Sequence, residues 1–266
     1  MGRRMIFRFA AAALLCAAWA TAAQAQDFRQ SFNLAPGGSI TIKNVSGDIN
    51  ISGYDGAGVE VTAYKEGRDR DRVSVENLST ANHVSLRADY EEHCNCDASL
   101  RFEVRVPRNM RFNFDKISTA SGNLTAENVT GSVEMNTASG DVTLSGVSGE
   151  IRASSASGTV KVRDAAGNVN ASSASGDVEV ELTRIEGDGD MRFSTASGNV
   201  HVRLPAGIDA TVEMSTVSGS LETNFPIEVR KDQYGPGSRA RGQLGGGGSR
   251  LLKISSASGD VSLKSL

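Results

Sequence analysis

Residues 137–178 read TASGDVTLSGVSGEIRASSASGTVKVRDAAGNVNASSASGDV, and this stretch decides the fold. Glycine returns at positions 140, 149, 158, 167 and 176, once every nine residues. The longer unit has 18 residues, because 119–136, 137–154 and 155–172 align with one another, and the longer units 173–194 and 195–215 follow. Self-similarity at a fixed period is the sequence signature of a solenoid, in which each repeat stacks on its neighbour.

Each unit holds two short segments in which apolar and polar residues alternate. Between Gly140 and Gly149, for example, the apolar positions include Val142 and Leu144, with a polar residue between them. Alternation with a period of two is typical of a strand that is buried on one face. The sequence therefore predicts an all-β, single-domain, two-sided β-solenoid (β-helix-like) with about 18–22 residues per coil, with apolar columns inside and polar columns outside.

The recurring glycines are predicted to form the corners between these strands. In A-S-G-D and A-S-G-N the glycine takes the third position of a four-residue turn, where a type II turn requires a positive φ. We therefore predict structural turns at ten glycines: Gly47, Gly122, Gly140, Gly149, Gly158, Gly167, Gly176, Gly198, Gly219 and Gly259.

Two polar columns follow the same period. The residue after a corner glycine is often Asp or Asn, charged and neutral members alternate, and we expect their side chains to bond to local backbone amides. A hydroxyl residue lies three positions before several of these glycines, at Thr137, Ser155, Ser173, Thr195 and Thr216. We expect these hydroxyls to point inward and to hydrogen-bond along the stack.

The flanking regions continue the strand pattern less regularly. We expect the solenoid to span 26–266, with irregular strands over 28–116, regular repeats over 117–225, a glycine-rich excursion out of a coil over 230–250, and closing strands over 251–266. The last segment is predicted to form the final strand pair of the stack.

Residues 1–25 have the pattern of a secretory signal peptide. Three arginines precede a short apolar run, and small residues lead to a predicted cleavage after Ala25. The alternatives are a membrane anchor and a lipid attached at Cys16. The apolar run, 9–20, is shorter than the roughly 20 residues that a span needs, and Leu15 is large for the position before a lipid-bearing cysteine.

The charge and hydropathy of the sequence limit the classes of binding partner and the cellular location that we predict. The formal net charge is −3, and cleavage of the signal peptide removes three arginines, which makes the chain more acidic. The sequence therefore lacks the excess of positive charge that is typical of nucleic-acid-binding proteins. No second apolar run is long enough to span a membrane. The sequence thus predicts a periplasmic or secreted protein of the cell envelope, with no transmembrane segment after cleavage and no nucleic-acid partner.

The repeats do not favour either of two other functions, calcium binding or the cleavage of polysaccharides. Calcium-binding β-rolls need several glycines and an aspartate per turn, whereas each turn here has one glycine, and Thr159 and Ser220 interrupt the acidic column. A polysaccharide lyase or hydrolase needs clustered carboxylates and aromatic platforms, but the only tryptophan lies in the signal peptide. The outward columns offer alternating charges typical of a solvated face, at Glu134, Arg152, Glu179, Glu181, Arg192 and Glu213. We predict no catalytic residue and no cofactor.

The segment EEHCNCDASL, residues 91–100, is the one local exception to the strand pattern. His93, Cys94 and Cys96 are weak candidates for a soft-metal site, because a zinc site requires a second ligand pair elsewhere. In an oxidising compartment, a disulfide or a pair of solvent-facing thiols is favoured over the metal.

Several motifs together resemble the bacterial putative-adhesin family of β-strand-repeat envelope proteins, a domain of unknown function. They are NVSGDINISGYDG at 44–56, FEVRVPRNM at 102–110, the tandem SASGDV units and GQLGGGGSRLLKISSASGDVSL at 242–263. The resemblance covers 28–266. It implies a repeat architecture, adhesion or a regulatory role beside envelope-stress sensing systems, and no shared catalytic residues.

The leading hypothesis is an exported, non-catalytic β-solenoid scaffold, adhesin-like, that binds an envelope polymer or an envelope protein through its stacked polar columns. One alternative is an envelope-stress sensing component that acts through protein contacts. The other is a carbohydrate-active enzyme on a β-helix.

Overall fold

The computed structural model describes residues 27–91, 94–231 and 237–266, so the predicted signal peptide and His93 lie outside the described part. Apart from one turn of 3-10 helix at Arg70–Arg72, the regular elements are strands. They are β1 (Phe28–Phe32), β2 (Ser39–Lys43), β3 (Ile49–Tyr54), β4 (Val59–Glu66), β5 (Val73–Asn77), β6 (His83–Tyr90), β7 (Ser99–Pro107), β8 (Arg111–Ser121), β9 (Leu124–Glu127), β10 (Thr130–Ser139), β11 (Val142–Ser145), β12 (Ser148–Ser157), β13 (Val160–Ser175), β14 (Val178–Arg184), β15 (Met191–Ser197), β16 (Val200–Leu204), β17 (Ala210–Ser218), β18 (Leu221–Thr223), β19 (Val229–Lys231), β20 (Ser238–Leu244), β21 (Leu251–Ser258) and β22 (Val261–Ser265).

The strands stack in two facing sheets, and the long strand β13 passes from one to the other. Sheet one runs β1–β4–β7–β3–β9–β11–β13–β14–β16–β22–β18. Sheet two runs β5–β6–β2–β8–β10–β12–β13–β15–β21–β17–β20–β19. Within the described residues, nine coils each place one strand in each sheet with parallel pairing, and antiparallel strands cover the ends. The predicted all-β, two-sided solenoid is confirmed.

The core consists of columns of identical or similar apolar residues, because the parallel strands are in register. Val142, Val160 and Val178 pair in succession in sheet one, and all three are fully buried. Each such side chain stabilises the fold by about 1.5–3 kcal/mol relative to an exposed one. One coil cannot bury these residues alone, so stability depends on the stack.

The order of coils in space differs from their order in the chain. The pair β21–β22 lies between β15–β16 and β17–β18, with parallel partners on both sides. The prediction that 251–266 forms the final strand pair is therefore wrong. Insertion gives Leu252, Ile254 and Val261 neighbours on both sides, and all three are fully buried. The glycine-rich segment instead supplies β20, which pairs antiparallel with β17 and covers that end of sheet two.

A similar insertion occurs near the other end. The pair β2–β3 lies between β6–β7 and β8–β9, again with parallel partners on both sides. Residues 39–54 thus occupy an internal coil although they come early in the chain.

All ten glycines predicted at turns have a positive φ, from 109° at Gly47 to 156° at Gly219, but the prediction of turns at Gly149 and Gly167 is wrong, because these two lie within strands β12 and β13. The type II assignment is also wrong, because that turn has φ near 80° at its third position. Close stacking explains the requirement for glycine better: a Cβ on Gly158 would lie 2.1 Å from the carbonyl oxygen of Gly140, in the preceding coil. A Cβ on Gly176 would lie 2.2 Å from the carbonyl oxygen of Gly158.

The inward hydroxyl column forms the predicted hydrogen bonds along the stack. Ser155 Oγ donates to the Gly140 carbonyl at 2.9 Å, and Ser173 Oγ donates to the Gly158 carbonyl at 2.9 Å. Equivalent bonds come from the other members of the column, at Thr119, Thr137, Thr195, Thr216 and Ser256. Each of these buried hydroxyls thus hydrogen-bonds its coil to a corner glycine of the neighbouring coil.

The column of Asp and Asn residues bonds across coils rather than to local amides, contrary to expectation. Asp141 Oδ1 accepts the N–H of Thr159 at 2.8 Å, and Asp177 Oδ1 accepts that of Asn199 at 2.7 Å. In spatial order the column reads Asp48, Asn123, Asp141, Thr159, Asp177, Asn199, Asp260 and Ser220. Charged and neutral members alternate without exception, so the carboxylates lie two coils apart, about 10 Å.

Candidate binding face

The outer face of sheet two carries two straight rows of polar residues, because side chains in register on parallel strands point the same way. We call the first the charged row; from β10 to β20 it contains Glu134, Arg152, Asn170, Arg192, Lys253, Glu213 and Arg241. We call the second the serine row; from β10 to β17 it contains Asn136, Ser154, Ser172, Ser194, Ser255 and Ser215.

These rows line two adjoining grooves. One groove, of about 330 Å³, extends from β10 to β15, and the other, of about 510 Å³, lies over β21, β17, β20 and β19. Adjacent strands are about 4.8 Å apart, so the face from β10 to β20 is about 29 Å long. A surface of this shape can contact an extended molecule at many points.

The grooves are positively charged, although the whole chain has a net charge of −3. Six cations and three carboxylates line them. Arg152 pairs with Glu150 at 2.5 Å and Arg241 with Glu213 at 3.5 Å. A hydrogen bond from Arg230 holds the pKa of Glu228 below its usual value and raises the pKa of the arginine.

Arg192 and Lys253 differ from these paired cations. They are directly opposite each other on neighbouring strands, and neither has a carboxylate within 4 Å among the described residues. Like charges placed directly across a strand pair destabilise a sheet. Arg192 lies between Asn170 and the like charge of Lys253, and Lys253 lies between Arg192 and Glu213, with which it makes no ion pair within 4 Å.

The outer face of sheet one is neutralised internally. Lys161 and Arg163 reach Glu179 at 3.1 and 3.7 Å, and Arg203 reaches Glu181 at 3.5 Å. The groove over this region measures about 200 Å³. The two faces share the same fold but differ in charge balance.

Hydroxyls on the serine row are available for binding. Ser154 Oγ donates to Asn136 at 2.5 Å, and the Asn136 amide donates to Glu134 at 3.2 Å, so this end of the row is satisfied internally. The hydroxyls of Ser172, Ser194, Ser255 and Ser215 make no hydrogen bond with the described residues. Ser194 and Ser255 lie two residues from Arg192 and Lys253 on the same strands, whereas Ser172 lies opposite Ser154.

The outward carboxylates named from the sequence are divided between the two sheets, and the neighbouring Glu179 and Glu181 on β14 are each ion-paired with cations of the same sheet. Glu179 and Glu181 lie on sheet one, whereas Glu134 and Glu213 lie on sheet two. Five strand spacings, about 24 Å, separate Glu134 from Glu213, far more than the roughly 5–10 Å between the carboxyl groups of a glycosidase.

Arginines cover two of the three tyrosines in the described part of the chain, and the third, Tyr90, is half-buried against the core. Arg105 stacks over Tyr54, with its guanidinium carbon 4.4 Å from the ring centre, and Arg101 stacks over Tyr64 at 4.3 Å. These cation–π contacts stabilise the end of sheet one near β4 and β7.

Cys94 and Cys96 form a disulfide with each other, which removes both thiolates as metal ligands in this state. The third candidate, His93, lies outside the described residues. Within 27–91, 94–231 and 237–266 there is no group of three or more His, Cys, Asp or Glu residues that could hold a metal ion. No helix in this part of the chain has the length and apolar character of a membrane span.

Comparison with known proteins gives a family match over most of the chain. The model of the family described as Toastrack DUF4097 matches residues 29–264. No curated protein matches the sequence.

Comparison with solved structures gives similar chains at low sequence identity. A structure from Clostridium sporogenes, described as a putative cell adhesion protein, is 11% identical, with 90% of this chain and 99% of that chain covered and a TM-score of 0.40. A putative adhesin from Bacteroides fragilis is 13% identical, with 90% and 96% covered and a TM-score of 0.40. A putative adhesin from Parabacteroides distasonis is 12% identical, with the same coverage and TM-score.

Proposed function

The chain belongs to the Toastrack DUF4097 family, and from this premise we propose that it is an exported, non-catalytic scaffold of the cell envelope that binds an envelope polymer or protein. The proposed binding surface is the outer face of sheet two. The observation that carries the proposal is the opposed, unpaired Arg192 and Lys253 beside free serine hydroxyls. The stacked coils of a solenoid present such an extended binding surface.

Export is supported by two independent features. Residues 1–25 have the pattern of a signal peptide, and the disulfide between Cys94 and Cys96 suits an oxidising compartment. We further propose that 26–266 is one domain, because the two sheets continue through every coil from the antiparallel strands at one end to those at the other.

Site-specific cross-linking tests the proposed surface. A photo-reactive amino acid replaces Ser194 on sheet two in one variant and Thr143 on sheet one in its control; both positions are half-buried and point outward. The full chain is produced in its own cells and irradiated. We expect adducts with an envelope component from position 194 and few from position 143.

The identity and size of the adduct decide between the functional classes. An intact polymer or an envelope protein attached at position 194 supports a binding scaffold. Equal labelling from both faces contradicts the proposed surface. Shortening of envelope polysaccharide by the purified protein contradicts a non-catalytic role.

A further inference from the structure

Building on the proposed function, we infer that the partner is a linear, carboxylate-bearing polysaccharide that lies across the strands of sheet two and places anionic groups on Arg192 and Lys253. The two cations are adjacent across one strand spacing, and neither forms an ion pair within 4 Å with a carboxylate of the described chain, although Glu213 follows Lys253 on the next strand of the row. An anion between them replaces repulsion with attraction, and a guanidinium binds a carboxylate through two parallel hydrogen bonds.

The cations are spaced along the direction that such a polymer would follow. Arg152, Arg192, Lys253 and Arg241 lie on the first, third, fourth and sixth of six consecutive strands, β12 to β20. At about 4.8 Å per strand, the gaps are about 10, 5 and 10 Å. A polyanion running perpendicular to the strands meets a cation at each of these steps.

The chemistry beside the cations favours sugars over other polyanions. Ser172, Ser194, Ser255 and Ser215 present hydroxyls without partners in the described chain, and a hydroxyl both donates and accepts. Sugar hydroxyls and carboxylates can use both functions along the whole row.

Single-stranded nucleic acid fits this face less well. Its binding depends on aromatic side chains for base stacking. The described residues that line the two grooves include no aromatic side chain.

Binding to a defined probe tests the inference. The probe is polygalacturonate, and its fully methyl-esterified form is the neutral control with the same backbone. The protein is compared with the double variant Arg192→Gln/Lys253→Gln and with Arg163→Gln/Arg203→Gln, which makes the same charge change on sheet one. We expect the charged probe alone to bind and the first variant to raise its Kd about tenfold, because two exposed ionic contacts are lost.

Failure of polygalacturonate to bind would overturn the inference, and so would any of three further results. The methyl ester could bind as well as the charged polymer, both double variants could weaken binding equally, or poly-glutamate could bind as tightly as polygalacturonate. The first variant should melt close to the parent, because it removes the like-charge contact between Arg192 and Lys253 together with the opposite-charge contact between Lys253 and Glu213, and the melting temperature of each variant is measured so that unfolding is separated from a loss of binding. If cross-linking from position 194 succeeds while polygalacturonate fails to bind, the scaffold function stands and the polyanion is excluded.

Discussion

Substituting one corner glycine tests whether coil stacking, rather than turn geometry alone, requires glycine. In Gly158→Ala the new Cβ would lie 2.1 Å from the Gly140 carbonyl oxygen and 2.6 Å from its carbon, at a φ of 153°. Gly207 is the matched control, because it has a φ of 81° and no atom within 4 Å of an added Cβ. The control separates the cost of positive φ from the cost of the clash.

The expected magnitudes follow from these distances. A positive φ costs an L-residue roughly 1–2 kcal/mol, partly offset by the lower entropy of the unfolded alanine chain, so Gly207→Ala should lose about 1 kcal/mol. Gly158→Ala adds a displacement of packed backbone, which typically costs about 1–3 kcal/mol, for a total loss of about 3 kcal/mol.

Urea unfolding followed by circular dichroism measures both free energies from the midpoint and the slope. We expect Gly158→Ala to unfold at a clearly lower midpoint than Gly207→Ala. Equal losses in the two variants would refute the stacking explanation and leave positive φ as the only reason for the glycine column.

Three further predictions concern stability. Ser173→Ala removes the buried hydrogen bond to the Gly158 carbonyl and should lower the free energy of unfolding by about 1 kcal/mol, while the outward control Ser172→Ala should change it little. Arg250 is buried and donates hydrogen bonds to backbone carbonyls of the 187–189 loop. Arg250→Met should therefore lower the free energy of unfolding by about 2 kcal/mol, and an unchanged urea midpoint would contradict this expectation. Hydrogen bonds from Ser220, chiefly from its backbone N–H, lower the pKa of Asp260. This carboxylate therefore stabilises the fold above about pH 4 and loses that effect as pH falls through its lowered pKa, so Asp260→Asn should flatten the drop in Tm between pH 5 and 3.

The regular coils could be predicted from the sequence because their signals are local. Alternation fixed which of Val142 and Thr143 faces the core, and the position of Ser155 relative to Gly158 indicated the hydroxyl column. Each of these features repeats at a constant spacing along the chain.

The spatial order of the coils could not be predicted by reading the repeats in chain order. Both 251–266 and 39–54 fill internal positions, and nothing in their local pattern states which neighbours they choose. One signal of this order was present in the column of residues that follow the corner glycines. In chain order two neutral members, Asn199 and Ser220, follow each other, and placing Asp260 between them restores the alternation of charged and neutral residues. The strict alternation of charged and neutral members is therefore complete only in the inserted order.

The candidate binding face was only partly predictable, because it also depends on the spatial order of the coils. The sequence marked Arg152 and Arg192 as outward, but Lys253 joins their row only through the inserted strand β21. The contrast between paired cations on sheet one and unpaired cations on sheet two depends on side-chain distances between coils. Such distances have no local sequence signal.

Blocking one face at a time tests the central claim most directly. Ser194→Cys on sheet two and Thr143→Cys on sheet one are each conjugated to a bulky maleimide polymer, while Cys94 and Cys96 are protected as a disulfide. Binding of each conjugate to the isolated cell-envelope fraction is then measured. We expect the label at position 194 to abolish binding and the label at position 143 to leave it intact; equal binding by the two conjugates would contradict the assignment of sheet two as the binding face.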